Sequence, residues 1–418
     1  MRFLLAPHGT RGDIQPMLAL ADALAARGHI VRFVAPANFV PWIAARGFEA
    51  RSDGIDVERL FRTVGANFQS FRWQAEYLSR VLTPQLFESV AAASEDVDLI
   101  VGAGVQIAGA SIAEWRDVPY CSAAFCPCAI PSHDAPPPSV KTQTLPKWVN
   151  GLLWQAGRPV TNLLLRKPIN TGRARLALEP IDSVLEHIAG SAIILAADRD
   201  LAPMGDDAPA VAVQTDAWID RVSSPLDSRV EMFLRLAPPP IYIGFGSMVA
   251  SDVAALAHDA IIAARALGRR AIVAGGWAGL NRYVPDDEDV CVVDAAPHDL
   301  VLPHVGATVH HGGAGTTTAA ARAGVPQVVL PHLLDQFYWA HRIEALSLGP
   351  AGLAVEIANA EILTARISTA LTDHRMRDTA AAFGPRVAAR NGVQAAADIL
   401  ENVAGRPVVD RMLPRSPS

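Results

Sequence analysis

The run His310-His311-Gly312-Gly313-Ala314-Gly315-Thr316-Thr317 gathers residue types that handle a negative charge. It follows a short apolar run at 307–309 that reads as a buried strand, and a helix is expected from Thr316. Glycines let a backbone approach a ligand closely, and a helix start points unpaired N–H groups at an anion. Thr316, Thr317 and Thr318 add hydroxyls, and an imidazole at the rim can donate to a phosphate oxygen. A tight turn whose Thr merely caps the helix is the plainer reading. Two adjacent histidines have no structural excuse in that reading, which favours a phosphate cradle.

Downstream, the apolar run 328–330 ends in Pro331-His-Leu-Leu-Asp335-Gln336. A carboxylate beside an amide, just past the end of a strand, suits hydrogen bonding to sugar hydroxyls. Asp335 as the cap of a helix over 337–346 is the structural alternative. Near the N-terminus, His8-Gly-Thr-Arg-Gly-Asp13 forms a tight loop between a strand at 2–6 and a helix at 16–27. A positioned carboxylate at Asp13 could act as a general base worth roughly 10²–10⁴-fold in rate. His8 is the rival base, and Asp13 as the cap of a helix with Pro16 in its first turn is the bland reading.

Two similar halves must position these groups. Apolar runs at 2–6, 30–35, 98–101, 119–124 and 192–197 lack polar alternation and are separated by helical stretches. That pattern predicts a parallel sheet covered on both faces. After a polar segment over 218–240 ending in Pro238-Pro239-Pro240, the pattern restarts. Residues 241–248 run a strand into a Gly/Ser turn, with a helix at 253–267 and strands at 271–274, 290–293, 307–309 and 328–330. Two doubly wound α/β domains, 1–217 and 241–408, are thus expected to face each other across a cleft, where ligands of such sheets bind. Residues 409–418 read as a disordered tail. Segment 132–147 is Pro-rich, and 148–165 is apolar with Trp148, Leu152 and Trp154. These read either as a loop and helix packed on the first domain or as a lid offering apolar surface to an acceptor.

Composition narrows the classes. Lys plus Arg number 36 against 42 Asp plus Glu, and no basic block interrupts the chain, which argues against a nucleic-acid partner. No stretch has the length and apolarity of a signal or membrane span. The four cysteines form no zinc-like set, and Cys126-Pro-Cys128 lacks the spacing of a redox motif, so buried thiols in a reducing cytoplasm are expected. Asp-x-Asp strings at 96/98, 198/200 and 287/289 could hold a metal, but the helix terminus and His311 can neutralise a diphosphate without one. No metal and no cofactor are therefore expected.

The stretch 294–349, "DAAPHDLVLPHV…HHGGAGTTTAAARAGVPQVVLPHLLDQFYWAHRIEALSLG", resembles the donor signature of UDP-glycosyltransferases with the GT-B fold. The likeness is greatest to bacterial sterol-glucosyltransferase-like and vancomycin-group antibiotic enzymes. "GTRGDIQP" (9–16), "GFGSM" (244–248), "GGWAGL" (275–280) and, more loosely, "WQAGRPVTNLLLRKPIN" (154–170) extend it over nearly the whole chain. The resemblance implies that His311, Thr316 and the backbone of Gly313, Ala314, Gly315 and Thr317 hold the diphosphate, with Ser247 opposite. It implies that Ala296 pairs the base edge through its backbone, with Pro297 and Trp277 nearby, and that Asp335 and Gln336 read the sugar. Thr10, Arg11 and Gly12 would line the loop between donor and acceptor, with Asp13 as base where other relatives carry His. Relatives in plants place a Trp where Ala295 stands and a Glu where Ala319 stands, which loosens the inference to UDP. The implied reaction is inverting, metal-independent transfer of a hexose, from UDP-glucose first and a dTDP-sugar second. The apolar first-domain segments suggest a lipophilic acceptor such as a polyketide, macrolide, sterol-like, phenolic or glycolipid molecule. Final helices, through Asn402, that cross back to the first domain, peripheral contact with a membrane and a monomeric or homodimeric state complete the expectation. A nucleotide-sugar 2-epimerase and a catalytically idle partner of a transferase share the fold and stand as alternatives.

Overall fold

The computed structural model describes residues 1–64, 70–220, 225–248, 253–277, 279–295, 297–390 and 392–405. Seven strands form the first sheet: β1 (Arg2–His8), β2 (Ile30–Ala35), β3 (Glu49–Ser52), β4 (Leu99–Gly104), β5 (Tyr120–Ala124), β6 (Ala192–Leu195) and β7 (Ala212–Gln214). Five form the second: β8 (Ile241–Gly244), β9 (Ala271–Ala274), β10 (Val290–Val293), β11 (Ala307–His310) and β12 (Gln327–Val329). The orders are β3-β2-β1-β4-β5-β6-β7 and β10-β9-β8-β11-β12, and every ladder is parallel. In each sheet the strand order reverses at the first strand, beside β4 in one and β11 in the other. Loops leaving such a switch point diverge and open a crevice. The two crevices are where His8–Asp13 and His311–Gly313 lie.

The central strands are continuous apolar runs because helices cover both faces; after Arg2 every residue of β1 is buried. Edge strands β3 and β7 carry no such run, since β3 is mostly exposed and β7 is three residues long. The first helix spans Arg11–Ala26, so it begins well before residue 16 and takes Pro16 inside. Within the segment 218–240, helix Ser228–Arg235 buries Val230 and Leu234 among Tyr242, Ile272 and Leu302 of the second domain.

The last helix, Gly392–Ala404, returns to the first domain. Val393, Ala396, Ala397, Leu400 and Val403 recur at helical spacing and bury against Met17, Leu20 and Leu24. Arg27 Nη1 donates to Asp398 (2.7 Å) and Glu401 (3.0 Å), fixing the helix at its outer edge. Segment 132–146 reaches from the first domain to the second: Trp154 Nε1 donates to the Ala135 carbonyl at 3.0 Å, and the Lys141 ammonium sits 5.5 Å from the Phe337 ring of the second domain. Behind it runs the 29-residue helix Lys147–Arg175. Among the described residues, no helix is long and apolar enough to cross a membrane. The expected tail at 409–418 lies outside the described residues.

Candidate functional site

Four loops at the C-terminal ends of β8, β9, β11 and β12 build one wall. His311 leaves β11 and is almost fully buried. Its ring fills the space above two glycines: a Cβ on Gly313 would stand 2.4 Å from Nε2, and one on Gly246 would stand 2.8 Å from Cε1. Gly276 in turn meets the Gly246 carbonyl, where a Cβ would fall at 2.3 Å, and Trp277 N–H donates to that carbonyl at 3.0 Å. The glycines at 246, 276 and 313 are therefore what lets three loops converge. Burial holds His311 neutral, with its pKa pushed down to about 3, and its Nδ1 has no hydrogen-bond partner among the described residues.

Helix Ala314–Ala323 starts two residues earlier than expected, with Gly313 at its N-cap and no side chain capping it. Thr317 N–H bonds back to the Gly313 carbonyl at 3.0 Å, so the N–H groups of Ala314, Gly315 and Thr316 are those a helix start leaves over. Gly315 is exposed and Thr316 half-buried, while Thr317 and Thr318 are buried. Thr316 is thus the hydroxyl on the open side; Thr317 Oγ1 is buried without a partner among the described residues. The second histidine does have a structural excuse. His310 Nε2 lies 2.9 Å from Gln327 Oε1, and its Nδ1 accepts the Gly312 N–H at 3.0 Å. It closes the strand end and only His311 faces the cradle. Ser247 is half-buried in the loop after β8, Pro297 caps the short helix His298–Val301, and Ala296 lies outside the described residues.

Asp335 sits at the N-cap of helix Gln336–Ala345, yet its side chain does not cap. Its Oδ2 accepts from Trp339 Nε1 at 3.1 Å. Burial lifts its pKa to about 6, and the charge of Asp13 adds to the rise, which places the two carboxylates within electrostatic reach across the cleft. Gln336 Oε1 accepts the N–H groups of His332 (2.8 Å) and Leu333 (3.1 Å), and its Nε2 donates to Met248 Sδ. That amide pins the turn presenting Asp335. Trp277 crosses to the other domain, 6.0 Å from the Phe39 ring and 6.1 Å from Phe61.

The opposite wall is the end of β1. Thr10, not Asp13, is the N-cap of helix Arg11–Ala26, and Asp13 lies three residues inside it. Asp13 Oδ2 accepts the Thr10 N–H at 2.8 Å, the reciprocal half of a capping box. Burial raises its pKa to about 6 against the opposing pull of Thr10 and His8. Gly9 and Gly104 hold no Cβ against this carboxylate, where one would stand 2.1 Å and 3.0 Å away. Arg11 lies 5.1 Å over the Trp42 ring and donates to Gln15, while Gly12 is exposed. His8 Nδ1 lies 2.6 Å from Asp53 Oδ2, both side chains buried. Asp53 has no signal in the sequence; it arrives because β3 pairs with β2 and delivers the residue after Ser52 beside β1.

The Asp-x-Asp strings are occupied by partners from the protein. Asp198 is fully buried against Arg322 (2.6 Å), and Asp200 and Asp216 bind Arg390 at 2.9 and 3.5 Å. Asp286 and Asp287 pair with Arg229 and Arg265. Asp98 accepts the Arg2 N–H at 2.7 Å.

Residues 3–129 match the model of the glycosyltransferase family 28 N-terminal domain. Residues 271–403 match that of the erythromycin biosynthesis protein CIII-like C-terminal domain. Glycosyltransferase GtfE of Amycolatopsis orientalis is 37% identical over 416 residues, covering 97% of this chain and 98% of that one. Vancomycin aglycone glucosyltransferase of the same organism is 34% identical, with 97% and 98% covered. The crystal structure of the calicheamicin glycosyltransferase CalG4 superposes with a TM-score of 0.73 at 19% identity, covering 97% of this chain and 98% of that one. This chain is a glycosyltransferase and belongs to the vancomycin-group family of GT-B enzymes.

Proposed function

We propose that the enzyme transfers a hexose from a nucleoside diphosphate sugar to a hydroxyl of a lipophilic small molecule, with inversion and without a metal. The observation that carries this reading is the pairing across one cleft of Asp13, with its pKa at about 6, and the anion cradle at Gly313–Thr316. Asp13 takes the acceptor O–H proton as the oxygen attacks the anomeric carbon. The anomeric C–O bond breaks, and the diphosphate leaves with the electron pair toward the N–H groups of Ala314, Gly315 and Thr316. His311, neutral at working pH, donates a hydrogen bond without adding charge, and Ser247 approaches the diphosphate from the neighbouring loop. Asp335 binds sugar hydroxyls, oriented by Trp339 and by the turn that Gln336 pins. Proximity of acceptor and donor replaces a bimolecular encounter, the largest gain a two-domain cleft offers.

UDP-glucose is the first donor and a dTDP-sugar the second. Likeness to a glucosyltransferase supports glucose, and Ala319 offers no carboxylate to hold a ribose. The acceptor reading rests on segment 132–146, whose Lys141 reaches the Phe337 ring next to Asp335 and Gln336. The test is a matrix of UDP- and dTDP-hexoses against polyketide, sterol, phenolic and peptide alcohols, scored by hexose mass gain. Turnover with lipophilic alcohols only is expected. Epimerised sugar from donor alone, or transfer confined to charged acceptors, would reject the proposal.

A further inference from the structure

We infer that the outer face of helix Lys147–Arg175 docks the enzyme on an anionic phospholipid surface. The helix carries Lys147, Arg158, Arg166, Lys167, Arg173 and Arg175 and no acidic residue, in a chain whose net charge is −6. Three of these cations are neutralised: Lys147 by Asp134, Arg158 by Glu186 and Arg173 by Glu114. Arg166, Lys167 and Arg175 have no acidic partner among the described residues, and they cluster at one end. There Lys167 and Arg175, with Ser79, Thr83, Thr171 and Arg80 (itself paired with Glu76), line a cleft of about 320 Å³ with no carboxylate among its described lining residues. Cations and hydroxyls around such a space suit a phosphodiester headgroup.

The rest of the face is apolar. Trp148 (69% exposed), Leu152 (53%), Val160 and Leu163 (73%) stand in solvent. At 3.6 residues per turn Trp148, Leu152, Pro159 and Leu163 share one side of the helix, and Arg166 and Lys167 continue the same side. A tryptophan, aliphatics and free cations on one surface helix have the composition of an interfacial element. A free anion would use the cleft and leave the apolar side unexplained. A membrane uses both.

Co-sedimentation with phosphatidylglycerol–phosphatidylcholine vesicles tests this. Binding is expected to the anionic vesicles, not to phosphatidylcholine alone, and to weaken as salt rises. Each cation near an anionic surface contributes about fivefold in partition, so Lys167→Glu with Arg175→Glu should reduce binding more than tenfold. Leu163→Asp should reduce it independently. Lys167→Glu with Arg175→Glu should leave transfer to a water-soluble phenol unchanged, since neither residue is assigned to the donor or acceptor sites. Equal binding of the variants, or of neutral vesicles, overturns the inference. So does protection of Lys167 from amine labelling by inorganic phosphate without vesicle binding, which marks a free-anion site. Self-association abolished by Leu163→Asp without vesicle binding makes the face an interface between copies and overturns it too.

Discussion

A carboxylate that accepts a proton from an alcohol works best when its own pKa lies close to the working pH. Asp13 is lifted to about 6 by burial, while its Thr10 hydrogen bond keeps the orientation fixed. Asp13→Asn keeps the shape and an acceptor for Thr10 N–H but removes the proposed base. Its kcat should fall roughly 10²–10⁴-fold with donor affinity retained, as measured by steady-state kinetics and UDP titration. In the native enzyme kcat/KM should drop tenfold per pH unit below about 6, the pKa of Asp13. Stability carries the same signature with a definite sign. The folded pKa lies above the ordinary 3.8, so the stability associated with this group is present below about pH 4 and lost as pH rises through 6. The Tm of Asp13→Asn relative to native should thus be more favourable at pH 7 than at pH 4. His8 competes for the role because its Nδ1 is held by Asp53, leaving Nε2 unclaimed by that pair. Asp53→Asn separates the two: a loss as deep as that of Asp13→Asn would transfer the base to His8.

At the scale of elements, the proposed donor wall depends on loops that only glycine allows to meet. Gly276→Ala puts a Cβ 2.3 Å from the Gly246 carbonyl, at a residue whose φ is +56°. Backbone cannot yield as a flexible side chain does, so about 1–3 kcal/mol of stability should be lost. UDP affinity should fall with it, readable by thermal shift and calorimetry. Unchanged affinity would mean that the three loops do not form one cradle. These loops were legible in the sequence because they follow strands buried on both faces, whose apolar runs are unbroken. The edge strands β3 and β7 were not legible, having little to bury. Asp53 was hidden for that reason. His310 was misread because its partner Gln327 stands on the next strand, 17 residues on, and register is not visible in a single segment. The helix Arg11–Ala26 began earlier than expected because Thr10 and Asp13 form a capping box that outweighs the signal of Pro16. The return of Gly392–Ala404 to the first domain was expected from the family resemblance, not from its apolar stripe, which alone names no partner.

For the whole molecule, Trp218 is the last first-domain core residue before the second domain, and Gly392, against the Thr215 and Asp216 carbonyls, begins the return, both on the β5-β6-β7 side of the first sheet. An ion network stands at both crossings: Asp198 with Arg322, and Asp200 and Asp216 with Arg390. On the other side of the switch points, after β2 and β9, the domains meet through Phe39, Phe61 and Trp277. Asp198 is fully buried, so removing Arg322 leaves an uncompensated charge, whereas parting aromatic rings costs only the area re-exposed. Opening should therefore pivot at the network and separate at Trp277. Arg322→Met should cost about 3–5 kcal/mol in urea unfolding, and adding Asp198→Asn should recover much of it, because the stranded charge is gone. Trp277→Ala should instead enlarge the radius of gyration of the ligand-free enzyme in solution scattering. It should raise the acceptor KM more than it lowers kcat, since a looser cleft still closes on saturating substrates. If Trp277→Ala left the radius unchanged while Arg322→Met enlarged it at no cost in stability, the pivot would lie at the aromatic side.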